Sequence, residues 1–279
     1  MHRRFDWPAH LVLLLGVGLF AFPVWLVFAG ATQDPGAINR GDLSLIPDFS
    51  HLGIFLSVLL HGYGKNESQP VWHMLMISAG MALVIAIGKI VISVLSAYAV
   101  VFFRFPFRMT AFWTIFITLM LPVEVRIIPT YAVMADFRLI NTFAGLTVPL
   151  LASATATLLF RQVYLAIPDE LIEAARMDGA GPIRFLIDML IPVSAANMAA
   201  LFVILFVYGW NQYLWPLLVA ADPRLDTIVI GIVQLVSGGH TLTPWNTMMA
   251  MAVLAILPPV VVVVAMQRWF VKGLTEVEK

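Results

Sequence analysis

The chain has 279 residues, of which 61% are hydrophobic and only 11% are charged. A water-soluble protein carries about 25% charged residues, so this composition excludes an ordinary soluble domain and indicates a membrane protein. The 16 basic and 16 acidic residues cancel and cysteine is absent, which argues against a nucleic-acid partner and excludes disulfides and thiolate metal sites.

The first apolar stretch, residues 11–31, is long enough for a membrane-spanning helix, which needs about 20 residues. Arg3 and Arg4 before it and the small residues 29–31 at its end are also typical of a secretory signal peptide. Because the apolar run exceeds the roughly 7–15 residues of a signal core, we expect a retained helix. Residues 32–73 are rich in Gly, Pro and Asp and predict an irregular loop on the outer side.

Five further stretches meet the same length criterion, so the sequence predicts an all-α polytopic membrane protein with six transmembrane helices. The second span is long enough to tilt or to project beyond the bilayer. We expect residues 1–70 to form the first helix and outer loop, residues 71–270 a five-helix permease core, and residues 271–279 a tail. The five stretches are residues 74–103, 109–128, 143–160, 198–219 and 248–267.

Lysine and arginine are distributed unequally between the two sets of connections. Cytoplasmic connections of membrane proteins carry an excess of both residues, so a distribution of ten against four predicts that both termini are cytoplasmic. The larger set is Arg3, Arg4, Arg104, Arg108, Arg161, Arg176, Arg184, Arg268, Lys272 and Lys279. The smaller set is Arg40, Lys65, Arg138 and Arg224.

The inner connection, residues 162–197, contains signals for two short helices. Pro168 and the two acidic residues after it predict a helix start, since proline suits the first turn and carboxylates stabilise the positive end of the helix dipole. Gly179 predicts the end of this helix because glycine readily adopts the left-handed conformation. A second helix is expected to begin at Pro182 and to be disturbed at Pro192.

This helical loop has a surface of small side chains next to two acids. Small side chains let another backbone approach closely, while Glu173 and Asp178 offer charge-assisted contacts to a basic partner. From these features alone, partner docking and an amphipathic helix resting on its own membrane domain are equally supported. The small residues are Ala174, Ala175, Gly179 and Ala180.

The same loop resembles the EAA loop of ABC importer permeases. It carries Glu173-Ala174-Ala175, then Asp178-Gly179-Ala180, then Ile191-Pro192, while Met189 and Ile191 are mild apolar departures from the family pattern. The resemblance implies the type I ABC importer transmembrane fold. It also implies that the first helix of the loop sits in a groove of a cytoplasmic ATPase and transmits its ATP-driven closure. The implied coupling residues are Glu173, Ala174, Ala175, Asp178, Gly179 and Ala180.

Other segments resemble the maltose-type subgroup of these permeases and, within it, the permeases of sn-glycerol-3-phosphate importers. The subgroup pattern is carried by Trp210-Asn211-Gln212-Tyr213 with Pro216, by Pro258, and by the ending at residues 267–274. The glycerol-phosphate pattern is carried by residues 119–126 (LMLPVEVR), 152–161 (ASATATLLFR), 208–217 (YGWNQYLWPL) and 278–279 (EK). This resemblance implies translocation of sn-glycerol 3-phosphate, with related glycerophosphodiesters as further solutes.

The resemblance also implies the partners of the chain. They are a second, homologous permease forming a heterodimer, two copies of a cytoplasmic ABC ATPase, an extracytoplasmic solute-binding protein, and the lipids of the bacterial inner membrane. No nucleic acid, metal or cofactor is expected. The implied mechanism is alternating access driven by ATP hydrolysis in the separate ATPase subunits.

Three charged residues lie within predicted spans. Lys89 falls near the middle of the second span, where a charge costs at least about 2.5–3.5 kcal/mol unless it faces a cavity or a partner. Glu124 and Arg126 lie near the outer end of the third span, and the prolines around them can open the backbone beside a polar cavity. One interpretation places Lys89 and Arg126 along a pathway for an anionic solute, because arginine binds phosphate oxygens in bidentate fashion. The alternative pairs Lys89 with an acid, for which Glu124 is a candidate.

A polar-aromatic band occupies residues 208–215 of the fifth span. Most of this band is expected to be an interfacial belt or to form interhelical hydrogen bonds. Asn211 and Gln212 are the exceptions, and we expect their amides to lie on the substrate pathway.

The sequence lacks the common motifs for ATP binding, nucleophilic catalysis and metal binding. Gly88-Lys89 is followed by isoleucine, so no phosphate-binding loop of the G-x-x-x-x-G-K-[ST] type is present, and no G-x-S-x-G nucleophile motif occurs. The six histidines lack metal-ligand spacing. The sequence therefore predicts a non-enzymatic subunit. Two alternatives remain, a permease for a neutral saccharide and a self-sufficient secondary transporter or membrane enzyme.

Overall fold

The computed structural model describes residues 7–62, 69–237 and 244–275, apart from the side chains of residues 118–119, 123–124 and 270–275. Every regular element in this part of the chain is helical, which confirms the predicted all-α class. Fifteen α-helices, α1 to α15, are joined by three short 3₁₀ turns and one π-helical segment within the described residues.

Three helices are individually long and apolar enough to cross a membrane. They are α1 (Trp7–Ala31), α4 (Val71–Phe102) and α15 (Trp245–Thr275). Two pairs of shorter helices, bent by 47° and 72°, raise the number of candidate spans among the described residues to five. The predicted number of six, and the predicted side of each terminus, stay predictions.

The predicted span 109–128 is divided between two helices. Helix α5 (Arg108–Met120) ends before Leu121, and α6 (Val123–Asp136) begins after Pro122. Leu121 is extended, with a ψ of 135°, because the ring of a following proline disfavours the helical region for the residue before it. The prediction of a continuous span was therefore wrong. The expected opening of the backbone is observed at Pro122 but not at Pro129, which lies inside α6.

The predicted span 143–160 is also two helical pieces. Helix α7 (Phe143–Thr147) continues through a 3₁₀ turn at Val148–Leu150, and α8 (Ala154–Leu165) follows after a 47° bend. Ser153 restarts the helix because its side chain accepts a hydrogen bond from the Ala156 amide at 3.3 Å.

Five α-helices and a π-helical segment lie in the inner connection and the fifth predicted span. Helices α9 (Asp169–Met177) and α10 (Pro182–Phe185) are followed by a π-helical segment, Leu186–Leu190, and α11 (Ile191–Val193). Helix α12 (Ala195–Trp210) then runs at 72° to the stretch Pro182–Val193, and α13 (Leu214–Val219) follows a break. The predicted disturbance is observed, because Pro192 lacks an N–H and its ring loosens the preceding turn into the π form.

The described residues fall into two compact units. The first comprises residues up to Leu75 together with Asp226–Pro258, and the second comprises Met76–Leu225 with the residues from Pro259 onward. Besides α1, the first unit contains α2 (Pro35–Asn39), a 3₁₀ turn at Phe49–His51, α3 (Gly53–His61) and α14 (Ile228–Ser237).

The outer segment, residues 32–73, is more ordered than predicted. Asp34 caps α2 by accepting the Ala37 amide at 2.9 Å, and Pro35 supplies a suitable first residue. The Gln33 side chain pairs with the Ser44 backbone, donating to its carbonyl at 2.6 Å and accepting from its amide at 2.9 Å. The prediction of a wholly irregular loop was wrong because it ignored this local capping.

The core of the second unit brings α4, α7, α12 and α13 together. Met81, Ile85, Leu146 and Ala220 form a buried cluster against which Tyr208 packs. Gly209 lies so close to α4 that a Cβ atom built on it would be 2.9 Å from the Ala82 Cα atom. This close approach places the middle of α4 beside the end of α12.

Candidate functional site

The helix of the predicted coupling loop forms as the sequence indicates. Helix α9 follows Pro168, has two acidic residues in its first turn and Arg176 in its last, and so matches the helix dipole at both ends. The chain leaves it through Asp178 and Gly179, and Gly179 has a φ of 68° that favours glycine.

The six predicted coupling residues divide between two faces. Glu173, Ala174, Asp178 and Gly179 are exposed. Ala175 is 5% exposed and Ala180 is half-buried, so these two small residues pack inward. The structure therefore keeps the set together in one loop but makes only four of its members available to another protein.

Large apolar side chains on the same loop are also exposed. Met177 is 84% exposed and Ile183 is 74% exposed. Exposed side chains of this size beside charged residues are typical of an interaction surface when they cluster. Sequence reasoning missed both residues, although their position beside the small residues was a usable signal.

The inner face of the loop is held by five aromatic residues, Tyr98, Phe102, Phe160, Tyr164 and Phe185, which we call the aromatic anchor. The Phe102 and Phe185 rings meet edge to face at 5.2 Å between centroids, and the Phe102 and Tyr164 centroids are 6.0 Å apart. The Tyr98 hydroxyl donates a hydrogen bond to the Pro182 carbonyl at 2.9 Å. The anchor thus joins the loop to the end of α4.

The aromatic anchor borders a surface pocket of about 180 Å³. The pocket lies between α9 and the end of α4, beneath the inward-facing Ala175 and Ala180. Sequence reasoning missed the anchor, for which the local signals were the spacings of four between Tyr98 and Phe102 and between Phe160 and Tyr164. The lining residues are Tyr98, Phe102, Phe103, Ile172, Ala175, Arg176, Ala180, Pro182 and Phe185.

A second candidate region surrounds Lys89 in the middle of α4. Lys89 is only 7% exposed, and its Nζ atom lies 3.9 Å from the centroid of the Tyr208 ring on α12. Arg126 is half-buried and lies on α6 of the same compact unit. The structure therefore adds Tyr208 to the predicted pathway residue Lys89.

The other predicted pathway residues are Glu124, Asn211 and Gln212. The side chain of Glu124 lies outside the described residues, so the predicted pairing with Lys89 stays a prediction. Among the described side chains, neither Lys89 nor Arg126 forms an ion pair. Asn211 is exposed at the end of α12, and Gln212 donates from Nε2 to the Tyr208 carbonyl at 3.1 Å.

Asp222 and Arg224 form an ion pair in the connection that follows α13. Arg224 Nη2 lies 2.7 Å from Asp222 Oδ2, and the Arg224 amide also donates to Asp222. These hydrogen bonds hold the pKa of the Asp222 carboxyl below its usual value. The pair fixes the start of the 3₁₀ segment Pro223–Leu225, which contains Arg224.

Comparisons with known proteins agree with this arrangement. Residues 89–276 match the family described as binding-protein-dependent transport system inner membrane component. The chain is 56% identical to the sn-glycerol-3-phosphate transport system permease protein UgpE of Agrobacterium fabrum, over 97% of this chain and 96% of that protein. It is 52% identical to the protein of the same name from Pectobacterium atrosepticum, over 99% and 98% of the two chains.

A solved structure has the same fold. The chain superposes with a TM-score of 0.78 on the crystal structure of a bacterial ABC transporter involved in the import of the acidic polysaccharide alginate. The match covers 97% of this chain and 99% of that chain at 18% sequence identity. At this identity the likeness concerns the fold alone, and it supports the predicted type I ABC importer architecture.

Proposed function

The chain belongs to the family of inner membrane components of binding-protein-dependent transport systems, and on this premise we propose that it translocates sn-glycerol 3-phosphate. It is a multi-pass inner-membrane permease subunit of an ABC importer, which works with a partner permease, an ATPase and a binding protein. The observation that carries the choice of solute is the 56% identity over 97% of the chain to a permease named for that solute. We propose related glycerophosphodiesters as further solutes.

The assembly we propose has one copy of this chain. A second, homologous permease completes the pathway as a heterodimer, and two copies of a cytoplasmic ATPase supply the energy. ATP hydrolysis takes place in those separate subunits, in line with the missing phosphate-binding loop in this sequence. Both termini of this chain are cytoplasmic in this proposal, as the distribution of Lys and Arg predicts.

Helix α9 docks onto the ATPase in this proposal. Four of the predicted coupling residues are exposed, and Glu173 and Asp178 can make charge-assisted contacts to a basic groove. Ala175 and Ala180 support the helix from behind, since they pack toward the end of α4. The loop thus combines an accessible outer face with a fixed inner face, as a mechanical coupling element requires.

Movement of the loop has two routes into the membrane helices. The aromatic anchor joins the loop to α4, and the loop itself continues through the π-helical segment and α11 into α12. Helices α4 and α12 carry Lys89 and Tyr208. Closure of the ATPases would therefore reach the Lys89 region through both helices, and alternating access would follow from their displacement.

Charge reversal at the loop tests the docking assignment. In the reconstituted complex, we expect Glu173→Lys to uncouple ATP hydrolysis from uptake or to weaken binding of the ATPase. Asp188→Lys is the control, because Asp188 is an exposed acid of the same loop outside α9. This control also removes the ion pair in which Arg184 Nε lies 3.2 Å from Asp188 Oδ2. Normal uptake by Glu173→Lys, or an equal defect in both variants, would contradict docking through α9.

Lys89 and Arg126 line the pathway in this proposal. A glycerol phosphate carries up to two negative charges. The buried Lys89 and the half-buried Arg126, which form no ion pair among the described side chains, provide the complementary charge. Glu124 is kept as a member of this charged set. The amides of Asn211 and Gln212 are proposed to receive the glycerol hydroxyls.

The solute assignment is tested by solute-stimulated ATP hydrolysis in the reconstituted complex with its binding protein. We expect stimulation by sn-glycerol 3-phosphate and none by maltose. Stimulation by maltose alone would instead favour the neutral-saccharide alternative, and Lys89 and Arg126 would then be structural. Transport by the purified chain alone in liposomes would favour the secondary transporter.

A further inference from the structure

We propose that Tyr208 is a positioning residue that holds the Lys89 ammonium in place, so that this cation binds the phosphate group of the solute together with Arg126. The inference rests on the proposed function, because it assumes an anionic solute, but it assigns a role to a residue that the sequence did not place on the pathway. The three residues lie on α12, α4 and α6 of the same compact unit.

The Lys89 ammonium has an unusual environment for a cation. Lys89 is only 7% exposed, and its Nζ atom lies over the face of the Tyr208 ring, 3.9 Å from the ring centroid. A buried ammonium without compensation is strongly unfavourable. The negative face of an aromatic ring provides such compensation, which is greatest where water is excluded.

The ring contact fixes the position of a flexible side chain. A lysine ammonium sits on a flexible four-carbon stem, so holding it over a ring reduces the ordering that anion binding would otherwise require. Because the ring covers only one side of the ammonium, N–H donors remain for a ligand.

The ring itself is held in place by its surroundings. Tyr208 packs on the buried cluster that includes Met81 and Ile85, and its carbonyl accepts the Gln212 side chain at 3.1 Å. The next residue, Gly209, brings the α12 backbone against Ala82 of α4. The distance between the ring and Lys89 is therefore fixed by helix packing rather than by the side chains alone.

The experiment measures solute retained at the membrane site. The full complex is trapped with loaded binding protein in the ATP-bound state by vanadate, and labelled sn-glycerol 3-phosphate retained per complex is measured against concentration. Inorganic phosphate is added as a competitor for the anion site, and glycerol as the neutral control. The variants are Tyr208→Phe, which keeps the ring, and Tyr208→Leu, which removes it.

We expect Tyr208→Leu to weaken retention about 5- to 30-fold, the range that corresponds to a partly or fully desolvated cation–π contact. Tyr208→Phe should retain the solute nearly as well as the unchanged chain, and phosphate but not glycerol should compete. Capture of the binding protein under vanadate is the control for folding, because a merely misfolded variant would lose capture as well.

The outcomes separate this inference from the proposed function. If sn-glycerol 3-phosphate fails to stimulate ATP hydrolysis by the unchanged complex, the solute assignment is wrong and the inference fails with it. If stimulation is normal but Tyr208→Leu and Tyr208→Phe retain the solute equally, the proposed function stands and the role of Tyr208 is refuted. Failure of phosphate to compete would also overturn the inference.

Discussion

The close approach of α4 and α12 at Gly209 allows one substitution to be worked out in detail. In Gly209→Ala, the new Cβ atom would lie 2.9 Å from the Ala82 Cα atom and 3.4 Å from its carbonyl oxygen. Ordinary van der Waals contact begins at 3.4 Å, so the two backbones must separate by about 0.5 Å. No side chain can rotate to relieve the first contact, because Cα belongs to the backbone.

The energetic consequence follows from two opposing terms. Overpacking of a well-packed core costs about 1–3 kcal/mol, and a contact between backbones belongs at the upper end of that range. Alanine gains about 1 kcal/mol over glycine in a helix interior, and the gain is smaller at Gly209, the last residue but one of α12. We therefore expect Gly209→Ala to lower the free energy of unfolding by about 2–3 kcal/mol.

The assay compares this variant with a matched helical glycine. Gly18 lies inside α1, and a Cβ atom there would meet nothing within 4 Å. Denaturant titration of the two purified variants in mixed micelles should give a lower stability for Gly209→Ala and an equal or higher one for Gly18→Ala. If Gly209→Ala is as stable as Gly18→Ala and transports normally, the inferred backbone contact is wrong.

Three further predictions concern the aromatic anchor and two loops. Phe185→Ala should lower the uptake per ATP hydrolysed, since it removes the ring that joins the loop to α4. Tyr98→Phe loses one hydrogen bond of about 1 kcal/mol and should have a small effect. Equal defects in the two variants would contradict the anchor. Arg224→Ala should raise the pKa of Asp222 toward its usual value of 3.8, because it removes the side-chain hydrogen bonds from Arg224 that lower this pKa. NMR of the labelled carboxyl measures the pKa, and an unchanged pKa would refute the pair. The lowered pKa contributes stability that is present above pH 3.8 and is lost as the pH falls below this value. Gln33→Ala should increase hydrogen exchange at residues 34–44, since both bonds to the Ser44 backbone are lost, and unchanged exchange would show that other contacts hold the loop.

The long helices could be predicted from sequence because their signal is local. Continuous apolar runs place α1, α4 and α15 within a few residues of their predicted spans. The start of α9 and the turn at Gly179 were also predictable, since caps and left-handed glycines act on their own neighbours. The break before Pro122 was indicated, but hydrophobicity continues across it and hides the division of the span.

The parts that were missed depend on residues far apart in the chain. Phe102 and Phe185 meet only because the inner loop folds back on α4, and neither residue stands out in its own segment. Tyr208 belonged to an aromatic band that is typical of an interface, and only its position over Lys89 distinguishes it. Ala175 and Ala180 look like their exposed neighbours in sequence, since burial is decided by the helix face and not by residue type.

The pairing of Gln33 with Ser44 has a practical consequence for protein engineering. Its two hydrogen bonds close the base of a short surface loop that contains Gly41, which has a φ of 90° and no atoms within 4 Å of an added Cβ. The entropic cost of a longer closed loop grows slowly, by about 0.6 kcal/mol for each doubling of length. An epitope inserted at Gly41, after the end of α2, would therefore leave the long helices undisturbed. Its accessibility to antibody on intact cells would report directly on which side of the membrane the segment lies.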